Sequence, residues 1–143
     1  MSQAQLLRIR LKPGSTESVL RFLNSLEERS VEVTSAFARE GVISQSFFIE
    51  RRDDADWLYW YVNAKDLMRA AEINAHDNGL LASEARALGL EAFADIHAPE
   101  PISHLDISFA STHAPLAALA KAQVRPEEPA AGPLCNRNKT LHS

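Results

Sequence analysis

The stretch Trp57-Leu58-Tyr59-Trp60-Tyr61-Val62-Asn63-Ala64 constrains the fold of this chain more than any other. Aromatic and β-branched side chains suit a pleated, half-buried surface. The two-residue period puts Leu58, Trp60 and Val62 on one face of a strand and Trp57, Tyr59, Tyr61 and Asn63 on the other. The polar run Asp53-Asp54-Ala55-Asp56 just before it is turn-forming, so this strand and its predecessor make a hairpin. That predecessor is expected over Val42 to Arg52. It should carry Ile43, Phe47 and Ile49 on one face and Ser44, Ser46, Phe48 and Glu50 on the other.

The same alternation marks Leu6 to Lys12, where Leu7, Ile9 and Leu11 interleave with Arg8, Arg10 and Lys12. Pro13-Gly14 ends this strand, and Ser15 is the expected N-cap of a helical segment. Within that segment Val19, Phe22, Leu23, Leu26, Val33 and Phe37 recur at helical spacing, and Gly41 closes it. Glu17 and Arg21 are placed for an i,i+4 pair. After the hairpin, Asn63 is expected to cap a helix with Leu67, Ala70, Ala71 and Ile73 inward, ended by Asn78-Gly79. Ser83 is expected to cap another, using Ala85, Leu88, Ala92, Phe93 and Ile96. A last strand is expected over His104 to Phe109, with His104, Asp106 and Ser108 on one face. The segment from 112 to 143 is rich in alanine and proline and is expected to be a disordered tail, leaving one domain over 1–111.

Strand, helix, hairpin, helices, strand is the βαββαβ order of a ferredoxin-like α+β domain, here with an extra helix in the second crossover. Each strand has one apolar face, so the helices should cover one side of an antiparallel sheet of order 4-1-3-2.

Arg8-Ile9-Arg10-Leu11-Lys12-Pro13-Gly14, Gly41-Val42 running to Phe48-Ile49-Glu50, and Leu58-Tyr59-Trp60-Tyr61 followed by Ala64-Lys65-Asp66-Leu67 resemble a family of uncharacterised small bacterial proteins. The resemblance spans roughly the first 110 residues, a usual single-domain length. That family is similar to the wider dimeric α+β barrel group, which holds small monooxygenases, haem-degrading enzymes, a sugar mutarotase and members without known activity. The resemblance implies a homodimer of face-to-face sheets. It assigns no catalytic residue, since a fold hosts many functions.

In such a dimer the uncovered faces would enclose a chamber. The candidate ligand-binding residues there are Arg8, Arg10, Glu50, Tyr59, Tyr61, His104 and Asp106. Arginine offers a planar fork of donors for anions and tyrosine an apolar body with a polar tip. The expected ligand is therefore a small anionic or hydroxylated molecule. The competing reading is structural: Arg8 and Arg10 pair with Asp106 or Glu50, and the tyrosines are interface aromatics. His104 two residues from Asp106 has the composition of an acid–base pair. His76 and His97 sit near expected helix ends, where the dipole favours them.

Other classes lose support. The net charge of −4 argues against a nucleic-acid binder, and no run approaches the roughly 20 apolar residues of a membrane span. The first residues lack the basic and apolar regions of a signal peptide, and Cys135 is a lone cysteine, so a cytoplasmic protein is expected. No Gly-x-Gly-x-x-Gly, Walker, Gly-x-Ser-x-Gly or His-Glu-x-x-His pattern occurs, and neither a cofactor nor a metal is expected. Two further readings remain beside small-molecule binding: a non-catalytic interaction module using the sheet face or tail, and, by fold analogy alone, a cofactor-free monooxygenase.

Overall fold

The computed structural model describes residues 1–106. The expected domain border at 111 and the tail over 112–143 lie outside the described residues. The elements run β1 (Gln3–Leu11), α1 (Thr16–Glu28), α2 (Ser30–Glu40), β2 (Val42–Arg51), β3 (Asp56–Ala64), α3 (Leu67–His76), α4 (Leu80–Ala92) and β4 (Phe93–His97). They form one antiparallel sheet of order β2-β3-β1-β4, with the two aromatic and apolar strands β1 and β3 at its centre. This is the ferredoxin-like α+β plan, with a helix pair in each crossover.

The first helical segment breaks at Arg29, whose φ of −101° and ψ of 33° leave the helical range. Its N–H still bonds the carbonyls of Ser25 and Leu26, so α1 ends and α2 begins with little exposed backbone. Gly41 then closes α2 at φ 70°, a left-handed conformation that glycine adopts without a Cβ penalty. Ser15 occupies the N-cap position of α1. Its hydroxyl donates to the Lys12 carbonyl at 2.6 Å instead of accepting from the helix. Glu17 meets Arg51 at 3.4 Å rather than Arg21.

Three boundaries differ from expectation. The cap of α3 is Asp66, whose Oδ1 accepts from the Arg69 N–H at 3.0 Å, while Asn63 stays in β3. Gly79, not Ser83, precedes α4. The fourth strand is Phe93–His97, so Phe93, Ile96 and His97 leave the helix where their spacing had placed them. Residues 104–106 are not in a strand, and 107–109 lie outside the described residues. The reason is the free edge of β1. Lys12 donates to the Ala92 carbonyl at 2.8 Å, and pairing from Leu11↔Phe93 to Arg8↔His97 satisfies backbone groups that a longer helix would leave open on β1.

Ile9, Leu11, Val19, Leu58 and Ala92 form the buried core between sheet and helices. Phe47 and Trp60, opposite each other in register, stack on the same side with centroids 5.7 Å apart. The shift between Val42 and Ser44 makes Ile43 an extra residue in β2, and it is 52% exposed rather than inward with Phe47. Asp66→Ala is expected to cost about 1 kcal/mol through the lost cap. A lower urea midpoint at unchanged slope would register it.

Candidate functional site

The register builds the uncovered face in cross-strand rows. Glu50, Trp57, Arg10 and Asp95 form one row, and Phe48, Tyr59, Arg8 and His97 the next. Ser46 and Tyr61 follow, with Leu6 opposite Tyr61 on β1. Arg8, Arg10, Glu50, Tyr59 and Tyr61 therefore share one face. The Arg8 guanidinium lies 4.1 Å from the centroid of the Trp57 ring, a cation–π distance. Neither Arg8 nor Arg10 is in an ion pair among the described residues; Glu50 lies instead 3.5 Å from Arg52. Trp57 is 7% exposed, and its Nε1 has no hydrogen-bond partner among the described residues; the Asn63 Oδ1 is in the same position.

His104 and Asp106 lie away from this row, because the chain beyond β4 runs on to the start of β1. There the Ser2 hydroxyl bonds both the Asp106 Oδ2 and, at 2.9 Å, the His104 Nε2. A hydroxyl has one proton. With Asp106 accepting it, the imidazole must donate to Ser2, so the serine oxygen is not poised as a nucleophile by this histidine. The arrangement ties the segment after β4 to the N-terminal residues.

The helix side holds an opening. A cavity of about 1040 Å³ lies between the sheet and the helices, walled by residues that include Phe22, Leu23, Phe37, Phe47, Trp60 and Leu88. Small-molecule sites typically have this concave and mainly apolar character, in volumes of roughly 300–1,000 Å³. None of the seven candidate residues lines it. Within it the Trp60 Nε1 donates to the Gln45 Oε1 at 2.8 Å, which fixes the indole. Its polar end joins the C-terminus of α2 to the α3–α4 junction. Buried Glu40 accepts from the Asn74 Nδ2 at 3.1 Å. Arg86 donates to the Asn74 carbonyl at 2.8 Å and the Asp77 carbonyl at 2.5 Å, satisfying the end of α3.

Asp77 is held below the ordinary aspartate range, first by the Gly79 N–H at 2.8 Å and then by Arg39 at 3.0 Å. On the other rim Arg29 bonds Glu32 of α2 and Glu84 of α4. Those two bonds hold its guanidinium above the usual arginine value, and Arg29 in turn lowers Glu32. The two crossovers are thus clamped together over the opening by side chains from both.

Sequence reasoning placed the apolar walls on their faces but did not single out the polar residues Glu40, Gln45, Asn74 and Arg86. One signal was present: Val33, Phe37 and Glu40 follow i, i+4, i+7, so a carboxylate stands on an apolar helical stripe. Gln45, Asn74 and Arg86 carried no such mark, because their neighbours across the opening come from distant segments.

The fold and its two faces define a small ferredoxin-like α+β protein, with an uncovered aromatic–basic sheet face and a mainly apolar cavity between sheet and helices. Residues 2–83, more than half of the chain, match DUF6176, a family of unknown function, and the chain belongs to that family. No curated protein matches the sequence. Among solved structures, a proposed monooxygenase from Fusobacterium nucleatum is 11% identical with a TM-score of 0.50. That match covers 68% of this chain and only 41% of the Fusobacterium chain. The protein PA3566 from Pseudomonas aeruginosa is 17% identical over 71% of this chain and 93% of its own, with a TM-score of 0.47. SnoaB, a cofactor-independent oxygenase from Streptomyces nogalater, is 16% identical over 73% and 96%, with a TM-score of 0.43. At these identities the likeness is one of fold. Among the described residues, no helix is long and apolar enough to cross a membrane, and no three His, Cys, Asp or Glu side chains are grouped to hold a metal ion.

Proposed function

We propose that this protein binds a small, mainly apolar molecule in the cavity between its helices and its sheet. The observation that carries this reading is the cavity itself: about 1040 Å³ bounded mainly by aromatic and aliphatic side chains, with Glu40, Asn74 and Arg86 among its polar lining. The opening is concave and mainly apolar, and an apolar ligand seated there would remove its walls from water.

The protein acts as a homodimer joined through its uncovered sheet faces. Charge supports this reading. Arg8 and Arg10 form a basic stripe on central β1, and Glu50 and Asp95 lie on the flanking edge strands. A two-fold axis makes such a pattern self-complementary. Phe48, 59% exposed, adds apolar area beside the half-buried Tyr59 and Tyr61. In this arrangement Arg8, Arg10, Glu50, Tyr59 and Tyr61 are contact residues between copies, while His104 and Asp106 serve the tie to Ser2.

The neutral aromatic probe 2-naphthylmethanol tests the cavity. Saturating probe is expected to raise the melting temperature, since a ligand present at 100 times its Kd adds about 2.7 kcal/mol to the folded state. Ala36→Trp, which fills the cavity from α2, is expected to abolish the shift. An equal shift in that variant places the probe elsewhere and ends the proposal.

A further inference from the structure

We propose that the ligand of this cavity is an amine, with an aromatic or otherwise apolar body and a protonated amino group that bonds the Glu40 carboxylate. The inference rests on the cavity-binding reading and names its ligand class.

Glu40 is 8% exposed, and it lines the cavity. A carboxylate withdrawn from water is costly unless paired and fully hydrogen-bonded. Here its partner among the described residues is a neutral amide, the Asn74 Nδ2 at 3.1 Å. No arginine, lysine or histidine nitrogen comes within 4.0 Å of it among the described residues.

The two arginines that line this end of the cavity are engaged otherwise: Arg39 pairs with Asp77 at 3.0 Å, and Arg86 donates to the Asn74 and Asp77 carbonyls. Lys65, whose stem lies beside Gly41, makes no ion pair with Glu40 within 4.0 Å. Glu40 is also the last residue of α2, where the helix dipole places partial negative charge. A carboxylate and a helix C-terminus at one point both favour a cation there. Nothing in the described chain supplies it, and a ligand ammonium would. It would have three donors for the carboxylate and the open carbonyls of the last turn. The apolar walls beyond, including Phe37 and Trp60, would take the body of the molecule, and an aromatic body suits those rings.

The position of Arg86 makes the opposite choice, an anionic ligand, the natural competitor. Two of its five N–H groups go to backbone carbonyls and fix it at the end of α3, and the Glu40 carboxylate on the same lining disfavours a second anion.

Three probes with one ring system separate these cases on the full chain: 2-naphthylmethylamine, 2-naphthylmethanol and 2-naphthoate, each titrated with affinity and melting temperature as readouts. The amine is expected to bind tightest, about tenfold or more above the carboxylate, as a charge-assisted hydrogen bond implies. Glu40→Gln keeps the shape and the bond to Asn74. It is expected to weaken the amine about tenfold while leaving the alcohol within about threefold. Equal or tighter binding of the carboxylate overturns the proposal. So does an alcohol as tight as the amine, or an amine unaffected by Glu40→Gln. The probe series on the unaltered chain stands by itself if that variant fails to fold. If all three probes fail to bind, the cavity-binding reading falls first and this one with it. If the alcohol binds and the amine does not, the cavity survives and only the ligand class is wrong.

Discussion

Leu58→Ala is expected to lower the unfolding free energy by about 2–5 kcal/mol, the range for truncating a buried leucine. Leu58 is 2% exposed on central β3 and packs in the cluster with Ile9, Leu11, Val19 and Ala92. Register places it directly opposite Ile9 on one side and Ile49 on the other. Truncation removes contacts to both neighbouring strands and to the helix layer at once. The residue also borders the cavity, so the side chains around it already face a void and have little means of closing over the new space. Native stabilities of roughly 5–15 kcal/mol make this a large fraction of the total. Urea titration followed by circular dichroism reads it. Phe48→Ala, one strand away on the uncovered face, is expected to leave single-chain stability within about 1 kcal/mol, because a half-exposed side chain has less area to lose. Comparable losses for both variants would mean that the helix side is not the core.

Light scattering on the full chain is expected to give twice the mass of one chain, and Tyr59→Asp is expected to reduce it to the single-chain mass at micromolar concentration. Tyr59 lies between Arg8 and Phe48 near the middle of the uncovered face. An isologous interface repeats every substitution. The change would remove two aromatic bodies and withdraw two carboxylates from water, and even beside Arg8 the desolvation of such a buried pair outweighs its attraction. The circular dichroism spectrum should be unchanged, since Tyr59 is outside the buried cluster of Ile9, Leu11, Val19, Leu58 and Ala92. A dimer that survives Tyr59→Asp would put its interface elsewhere. The cavity is lined within one chain, so 2-naphthylmethanol should bind the monomeric variant as well as the parent. If binding disappears with the dimer, the ligand lies between the sheets instead, among the arginines and tyrosines.

Of the seven residues singled out from sequence, five fall together on one sheet face. Alternation along a strand is local, and Arg8, Arg10, Tyr59 and Tyr61 needed only the two-residue period to be grouped. Glu50 joins them because the bulge at Ile43 comes before it, and the period runs undisturbed from Ser44 onward. His104 and Asp106 were placed by a strand pattern that the chain does not use, since β1's edge is already taken by Phe93–His97 over its Arg8 half. The cavity was not legible. Its position depends on how far four helices stand from the sheet, which is set by side chains meeting across segments as distant as Glu40 and Asn74.

The sequence by itself determined the order of elements, the faces of β1 and β3, and the end of α2 at Gly41, because each rests on a short-range rule of period or backbone freedom. The tertiary structure alone decided the rest. Ala92, Phe93 and Ile96 fit a helix or a strand, and only a free edge on β1 chose between them. It also chose Asp66 over Asn63 as the cap, since Asn63 is held in the ladder between β1 and β2. And it left Glu40 buried beside an apolar cavity, a juxtaposition that no window of neighbouring residues contains.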